Sequence, residues 1–143
     1  MSYNCIVFAV ELNAINDRLL MDKLSSVAHS GSKIYWVHAV EQLSNYGAAY
    51  GVSAGVDIEQ SMMKEARTTL SKLASEFGIP SDHLIIEAGS PKQVVLHHAH
   101  ALSADLIITG SHGRHGVRLL LGSTANAILH GAHCDVLSVR ITE

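Results

Sequence analysis

An open, doubly wound α/β fold on a five-stranded parallel sheet is what this sequence predicts, on three observations. Five short runs rich in Val and Ile show little polar alternation, as strands covered on both faces do. Apolar stripes at helical spacing separate them, so strand and helix alternate and crossover connections follow. The chain has 143 residues, 48% of them apolar and 16% charged, which suits one compact domain with a sizeable core.

The five runs are Cys5–Val10 (CIVFAV), Ile34–Val40 (IYWVHAV), Leu84–Ala88 (LIIEA), Asp105–Thr109 (DLIIT) and Cys134–Val139 (CDVLSV). Between the first two, Ile15, Leu19, Leu20, Leu24, Val27 and Ala28 form an apolar stripe that predicts a helix, with Gly31 as its left-handed cap. Ile58, Met62, Ala66, Leu70, Leu73 and Phe77 predict a second helix, ended by Gly78 and Pro80. Ser90-Pro91-Lys92-Gln93 places a capping Ser, a first-turn Pro and a Gln at the start of a third, which would bury Val94, Val95, Ala99 and Leu102. A fourth runs from about Ser123 to His130 and ends at Gly131. No internal repeat or linker interrupts this order. The stretch Gln42–Val56 (QLSNYGAAYGVSAGV) reads as a long irregular loop, of the kind that serves a site or an interface.

Composition excludes several classes of function. A net charge of −3 without any basic run offers nothing to nucleic acid or anionic lipid. Cys5 and Cys134 lie inside apolar stretches and read as reduced, buried thiols. Met1-Ser2-Tyr3-Asn4 leads straight into a strand, unlike a signal peptide, and no apolar run approaches the roughly 20 residues of a membrane span. A soluble cytoplasmic protein is the expectation.

The chemistry concentrates after the fourth strand. Open α/β sheets bind ligands beyond the carboxyl ends of their strands. There the chain reads Thr109-Gly110-Ser111-His112-Gly113-Arg114-His115-Gly116, and then Gly122-Ser123-Thr124 at a helix start. Glycines let main-chain amides approach an oxyanion, and successive amides form an anion-binding concavity. Hydroxyls at a helix N-terminus, with its free N–H groups, favour phosphate. Arg114 and His115 would add charge or hydrogen bonds. The spacing is neither G-x-x-x-x-G-K-[ST] nor G-x-G-x-x-G, so a P-loop hydrolase and a dinucleotide enzyme are disfavoured.

Taken together, the opening strand with an acidic residue beyond it, WVHAVE, the GSP at Gly89–Pro91, ADLIITGSHGRHG and GSTANAILHGAHCDVLSVR resemble the universal stress proteins of the UspA type along essentially the whole chain. The resemblance implies sheet order 3-2-1-4-5, a homodimer through the last strand (Cys134 to Val139), and binding of ATP or AMP, with Mg2+ as an accompanying ion. Phosphates and ribose would meet Gly110, Gly113, Gly122, Ser123 and Thr124, with Ser111, His112 and Arg114 in the same loop. The adenine would lie against Ala9 and Val10, near Ala39. Two departures stand out. Eight residues, not the family's usual nine, separate Gly113 from Gly122, so AMP or ADP fits as well as ATP. Glu11 stands where ATP-binding members commonly carry Asp.

Competing readings find less support. His97-His98-x-His100 invites a metal, but adjacent helical residues point about 100° apart and do not converge. No Ser or Cys comes with a recognisable base and orienting acid, and no carboxylate pair suggests acid–base work, so catalysis is not expected. Asp105 reads as a cap at a strand start, and Tyr46 and Tyr50 as surface or interface contacts. The expected function is therefore an adenine-nucleotide-binding regulatory protein of the stress response. The alternatives are an interaction protein with a vestigial pocket, or a slow ATPase using Glu11 and Arg114.

Overall fold

The computed structural model describes residues 2–40, 52–112 and 123–141. Its elements are β1 (Tyr3–Ala9), α1 (Ala14–Leu24), β2 (Ala28–Val40), α2 (Val52–Glu76), a short 3-10 turn (Ser81–His83), β3 (Leu84–Ala88), α3 (Pro91–Ala101), β4 (Leu106–His112), α4 (Ser123–Gly131) and β5 (Asp135–Ile141). The five strands form one parallel sheet in the order β3-β2-β1-β4-β5. Both the doubly wound fold and the expected strand order are therefore found.

Burial on both faces explains why the strands read as continuous apolar runs. On one face, α1 and α2 cover Ile6, Phe8, Trp36, Val40, Leu106 and Ile108. Trp36 is wholly buried there, its ring centroid 5.4 Å from Phe8 and 5.9 Å from Phe77. On the other face, α3 and α4 cover smaller side chains: Val7, Ala9, Val37 and Ile107, packed by Val94, Val95, Ala99 and Ile128. No helix among the described residues is long and apolar enough to cross a membrane.

Several boundaries depart from the sequence reading, each for a physical reason. β2 begins at Ala28, six residues before the expected start, because its first part pairs with Tyr3 across an irregularity between Tyr3 and Cys5. The hydroxyl of Ser32 donates to the Tyr3 carbonyl and accepts from the His29 amide, closing that bulge. Gly31 is consequently a strand residue and not a helix cap; α1 ends at Leu24, and Ser25 and Ser26 turn their hydroxyls onto the Asp22 and Lys23 carbonyls. The α2 helix starts at Val52, so the C-terminal part of the expected 42–56 loop is helical, an extension of an already nucleated helix being inexpensive. Residues 41–51, including Tyr46 and Tyr50, lie outside the described residues.

The apolar stripe of α1 is also rotated from its expected position. Ile15 is 74% exposed and Leu19 44%, whereas Asp17, Leu20, Met21 and Leu24 are buried. Those four positions keep the i, i+3, i+4, i+7 pattern of a core-facing helix, with a carboxylate at its head. At the far end of α2, Gly78 adopts φ +70° and accommodates the turn into Pro80, as expected.

Candidate functional site

The order β3-β2-β1-β4-β5 reverses direction between β1 and β4, so connections diverge there at the carboxyl rim. A cleft of about 230 Å³ lies at this point. The structure brings into it six of the residues expected from sequence: Ala9, Val10 and Glu11 from the end of β1, Ala39 from β2, Thr109 from β4, and Thr124 in the first turn of α4. Val37, His38, Pro91 and Val95 complete the lining and were missed. Pro91 carried a usable signal, because a residue opening a helix after a parallel strand must sit on the carboxyl rim. A second cleft of about 330 Å³ adjoins the first and shares His38 and Ala39, with Leu12, Glu65 and Thr69 beyond them. Ligand clefts commonly run to about 300–1,000 Å³, a size the two reach together but the first alone does not.

Two helix N-termini open on this cleft, α3 at Pro91 and α4 at Thr124. The aligned peptide dipoles favour an anion at both, although in α3 Pro91 carries no N–H and Ser90 already takes the Gln93 amide, so that end offers fewer free amides. Ser90 caps α3 by accepting from the Gln93 amide at 3.3 Å, which fixes the direction of that helix start. The apolar side chains of Ala9, Val37, Ala39 and Val95 supply an apolar wall beside the polar lining residues Glu11, His38, Thr109 and Thr124.

The turn from β1 into α1 forms the wall on the Glu11 side. Leu12 holds φ +62°, and Asn13 caps α1 by accepting from the Ile15 and Asn16 amides. Beneath it the carboxylate of Asp17, wholly buried, accepts from the Glu11 amide at 3.2 Å and faces the amides of Leu12 and Asn13. Its other oxygen, Oδ2, is buried without a hydrogen-bond partner among the described residues. Burial pushes the Asp17 carboxyl up to about 6, against the opposing pull of the amides. Asp17 was not singled out in the sequence.

Three expected site residues lie in a strand and not in a loop. β4 continues through Gly110, Ser111 and His112, which pair in register with Val139, Arg140 and Ile141. The strand was expected to end at Thr109 with these three opening the phosphate loop; pairing with β5 draws them into the sheet instead. Gly110 is closely packed there: a Cβ at this position would meet Ile141 Cδ1 at 2.5 Å on the α1 face, so that methyl would have to move aside. Ser111 is buried. Ser123 begins α4, while Gly113, Arg114, His115 and Gly122 lie outside the described residues.

The remaining candidates are scattered. His98 reaches from α3 to Glu87 on β3, Nε2 to Oε2 at 2.8 Å, while its ring meets that of His97 edge-on at 5.1 Å. Among the described residues no three His, Cys, Asp or Glu side chains gather as a metal-ligand set. Cys5 and Cys134 are free and half-buried, and burial pushes both thiols up. A larger groove, about 510 Å³, lies between the C-terminal ends of α3 and α4 and is lined by His97, His100, His133 and Cys134. Helix carbonyl ends there disfavour an anion, and the groove lies at the amino rim of the sheet.

Comparison with known proteins agrees with this architecture. The family model described as "Universal stress protein family" matches residues 2–140. Universal stress protein A homolog 2 of Coxiella burnetii (strain RSA 493 / Nine Mile phase I) is 50% identical over 141 residues, covering 98% of this chain and 97% of that protein. Among solved structures, hypothetical protein MJ0577 superposes with a TM-score of 0.78 at 17% identity, over 100% of this chain and 99% of that one. A universal stress protein in complex with cAMP superposes with a TM-score of 0.54 at 18% identity, over 97% and 98%. On sequence and fold alike, the chain belongs to the universal stress protein family.

Proposed function

We propose that this protein binds an adenine nucleotide in the carboxyl-rim cleft and acts as a regulatory component of a stress response. The observation that carries the reading is the convergence, at the sheet's switch point, of an apolar slot and two helix N-termini. A planar apolar base and an anionic phosphate are the two halves of a nucleotide, and each meets its complement there. The structural neighbour in complex with cAMP supports the same ligand class. With Gly110, Ser111 and His112 drawn into β4, AMP or ADP fits the reading as well as ATP. Isothermal titration with ATP, ADP and AMP tests it. Saturable heat with at least one of them is expected; none from well-folded protein overturns the proposal.

In this reading the protein is a binder and not a catalyst, and it works in the cytoplasm. Occupancy is what it signals, through differential affinity of ligand for alternative conformations. Assembly follows the sheet. β5 is an edge strand beside β4, and pairing with a symmetry-related β5 would cover that edge. Sedimentation at micromolar concentration should give a dimer; a monomer throughout removes this part of the proposal.

A further inference from the structure

We infer that His38 reads the base: its Nε2 accepts a hydrogen from the 6-amino group of a purine seated in the carboxyl-rim cleft. The inference rests on the nucleotide-binding reading above and names the side chain that gives it base specificity.

Three observations lead to it. First, His38 Nδ1 lies 2.8 Å from the carbonyl oxygen of Val10. A carbonyl oxygen only accepts, so Nδ1 must carry the hydrogen. In the neutral ring this leaves Nε2 as a lone-pair acceptor on the far edge of the imidazole, the same logic by which a backbone carbonyl fixes the tautomer of ligand-binding histidines. Second, His38 lines both the 230 Å³ and the 330 Å³ clefts, so that a guest extending from one to the other passes this residue. Third, two nearby main-chain carbonyls are already engaged. The Val37 carbonyl accepts from the Val10 amide and the Val40 carbonyl from the Gly89 amide, each at 2.9 Å.

The charged groups around the ring point the same way. Glu11, on the turn after β1, borders the first cleft, and Glu65, on α2, borders the second. With Nε2 in its neutral, lone-pair form, the polar lining of the adjoining clefts is largely of acceptors, which favours a ligand that presents donors. The amino group of adenine is such a donor, while the purine ring itself can lie on Ala9, Val37 and Ala39. A base without that amino group leaves Nε2 buried against the ligand with nothing to accept, and polar groups left unpaired in this way are what give sites their discrimination.

The test compares AMP with purine riboside 5′-monophosphate, which differs only in lacking the 6-amino group, by isothermal titration at pH 8. Wild type should bind AMP about five- to ten-fold more tightly. His38→Asn is the diagnostic variant, because an asparagine amide can donate to the Val10 carbonyl in place of Nδ1 but has nothing at the position of Nε2. It should keep the thermal midpoint of the wild type and bind the two ligands equally. On wild-type protein, 15N spectra should show Nδ1 protonated and the Nε2 resonance displaced on adding AMP but not purine riboside monophosphate. If AMP binds while the ligand ratio survives His38→Asn, or Nε2 does not respond, the role of His38 is wrong and the nucleotide site stands. If AMP, ADP and ATP all fail to bind the folded wild type, both readings fall.

Discussion

The two rims of the sheet treat an aspartate in opposite ways. At the amino rim Asp105 accepts from the Asn4 amide through Oδ2 and from the Cys5 amide through Oδ1, both at 2.9 Å, while its own amide donates to the Cys5 carbonyl. Partial burial alone would raise this carboxyl, but the Asn4 and Cys5 amides outweigh it and hold the group below its usual value. The result is a clip that sets the start of β1 against the start of β4. At the carboxyl rim Asp17 is buried and has one oxygen unpartnered among the described residues, and its carboxyl is pushed up to about 6. One rim is chemically settled and fixes register; the other retains polar capacity beside a cleft. Unsatisfied buried groups concentrate where a structure has work besides stability.

The largest effect that separates the rims is a pH dependence. Between its unfolded value of 3.8 and about 6, the folded protein holds a proton on Asp17 that the unfolded chain releases. Its contribution to stability is therefore greatest below the lower value and is lost as pH rises through about 6. A tenfold difference in proton affinity between the folded and unfolded chain is worth ~1.4 kcal/mol, so the loss amounts to about 3 kcal/mol. Asp17→Asn keeps the acceptor for the Glu11 amide and removes the charge. Urea unfolding from pH 4 to 8 should show the difference between variant and wild type growing in the variant's favour with pH. A constant difference would break the contrast, making Asp17 as settled as Asp105.

Asp105 should show the opposite sign and a smaller size. Its folded value is depressed, so its contribution is present above the unfolded value and disappears as the pH falls through the folded one. Water screens this half-exposed site, and removing the two charge-assisted bonds by Asp105→Ala should cost about 1–2 kcal/mol at pH 7. The same unfolding series should show that deficit narrowing toward pH 3. Equal deficits at pH 3 and pH 7 would mean that the side chain acts through packing and not through its charge.

The contrast also bears on what could be read from the sequence. All five strands and their parallel arrangement were legible, because a strand buried on both faces writes its environment into consecutive residues. Ala9, Val10, Ala39, Thr109 and Thr124 were legible as cleft residues, since they lie where strands end and helices start, and the family resemblance marks those positions. What failed depends on partners distant in the chain. Nothing near Ala28 announces that its strand will pair with Tyr3, and nothing near Gly110 announces pairing with Val139. Asp17 was hidden for another reason. Hydrophobicity nominates Ile15 and Leu19 as the inner face of α1, and the helix is rotated so that a carboxylate occupies the inner position instead. The carboxyl rim breaks the pattern rule that the core obeys.

The smallest expected effect lies within the cleft itself. Thr124 lines it from the first turn of α4, and Thr109 lines it from β4 with only 3% of its surface exposed. If the phosphate is held mainly by main-chain amides at the helix starts, Thr124→Val removes a single hydroxyl at nearly constant side-chain shape and leaves those amides in place. AMP affinity should then fall about three- to five-fold, the worth of a single neutral hydrogen bond, with the unfolding midpoint unchanged. Thr109→Val, nearer the apolar floor, should change affinity by less than about two-fold, because its hydroxyl has only a long contact, 3.5 Å, with the Gly110 carbonyl. A larger loss from Thr109→Val than from Thr124→Val would reverse the polarity assigned to the cleft, putting the anion over the sheet and the base at the helix start.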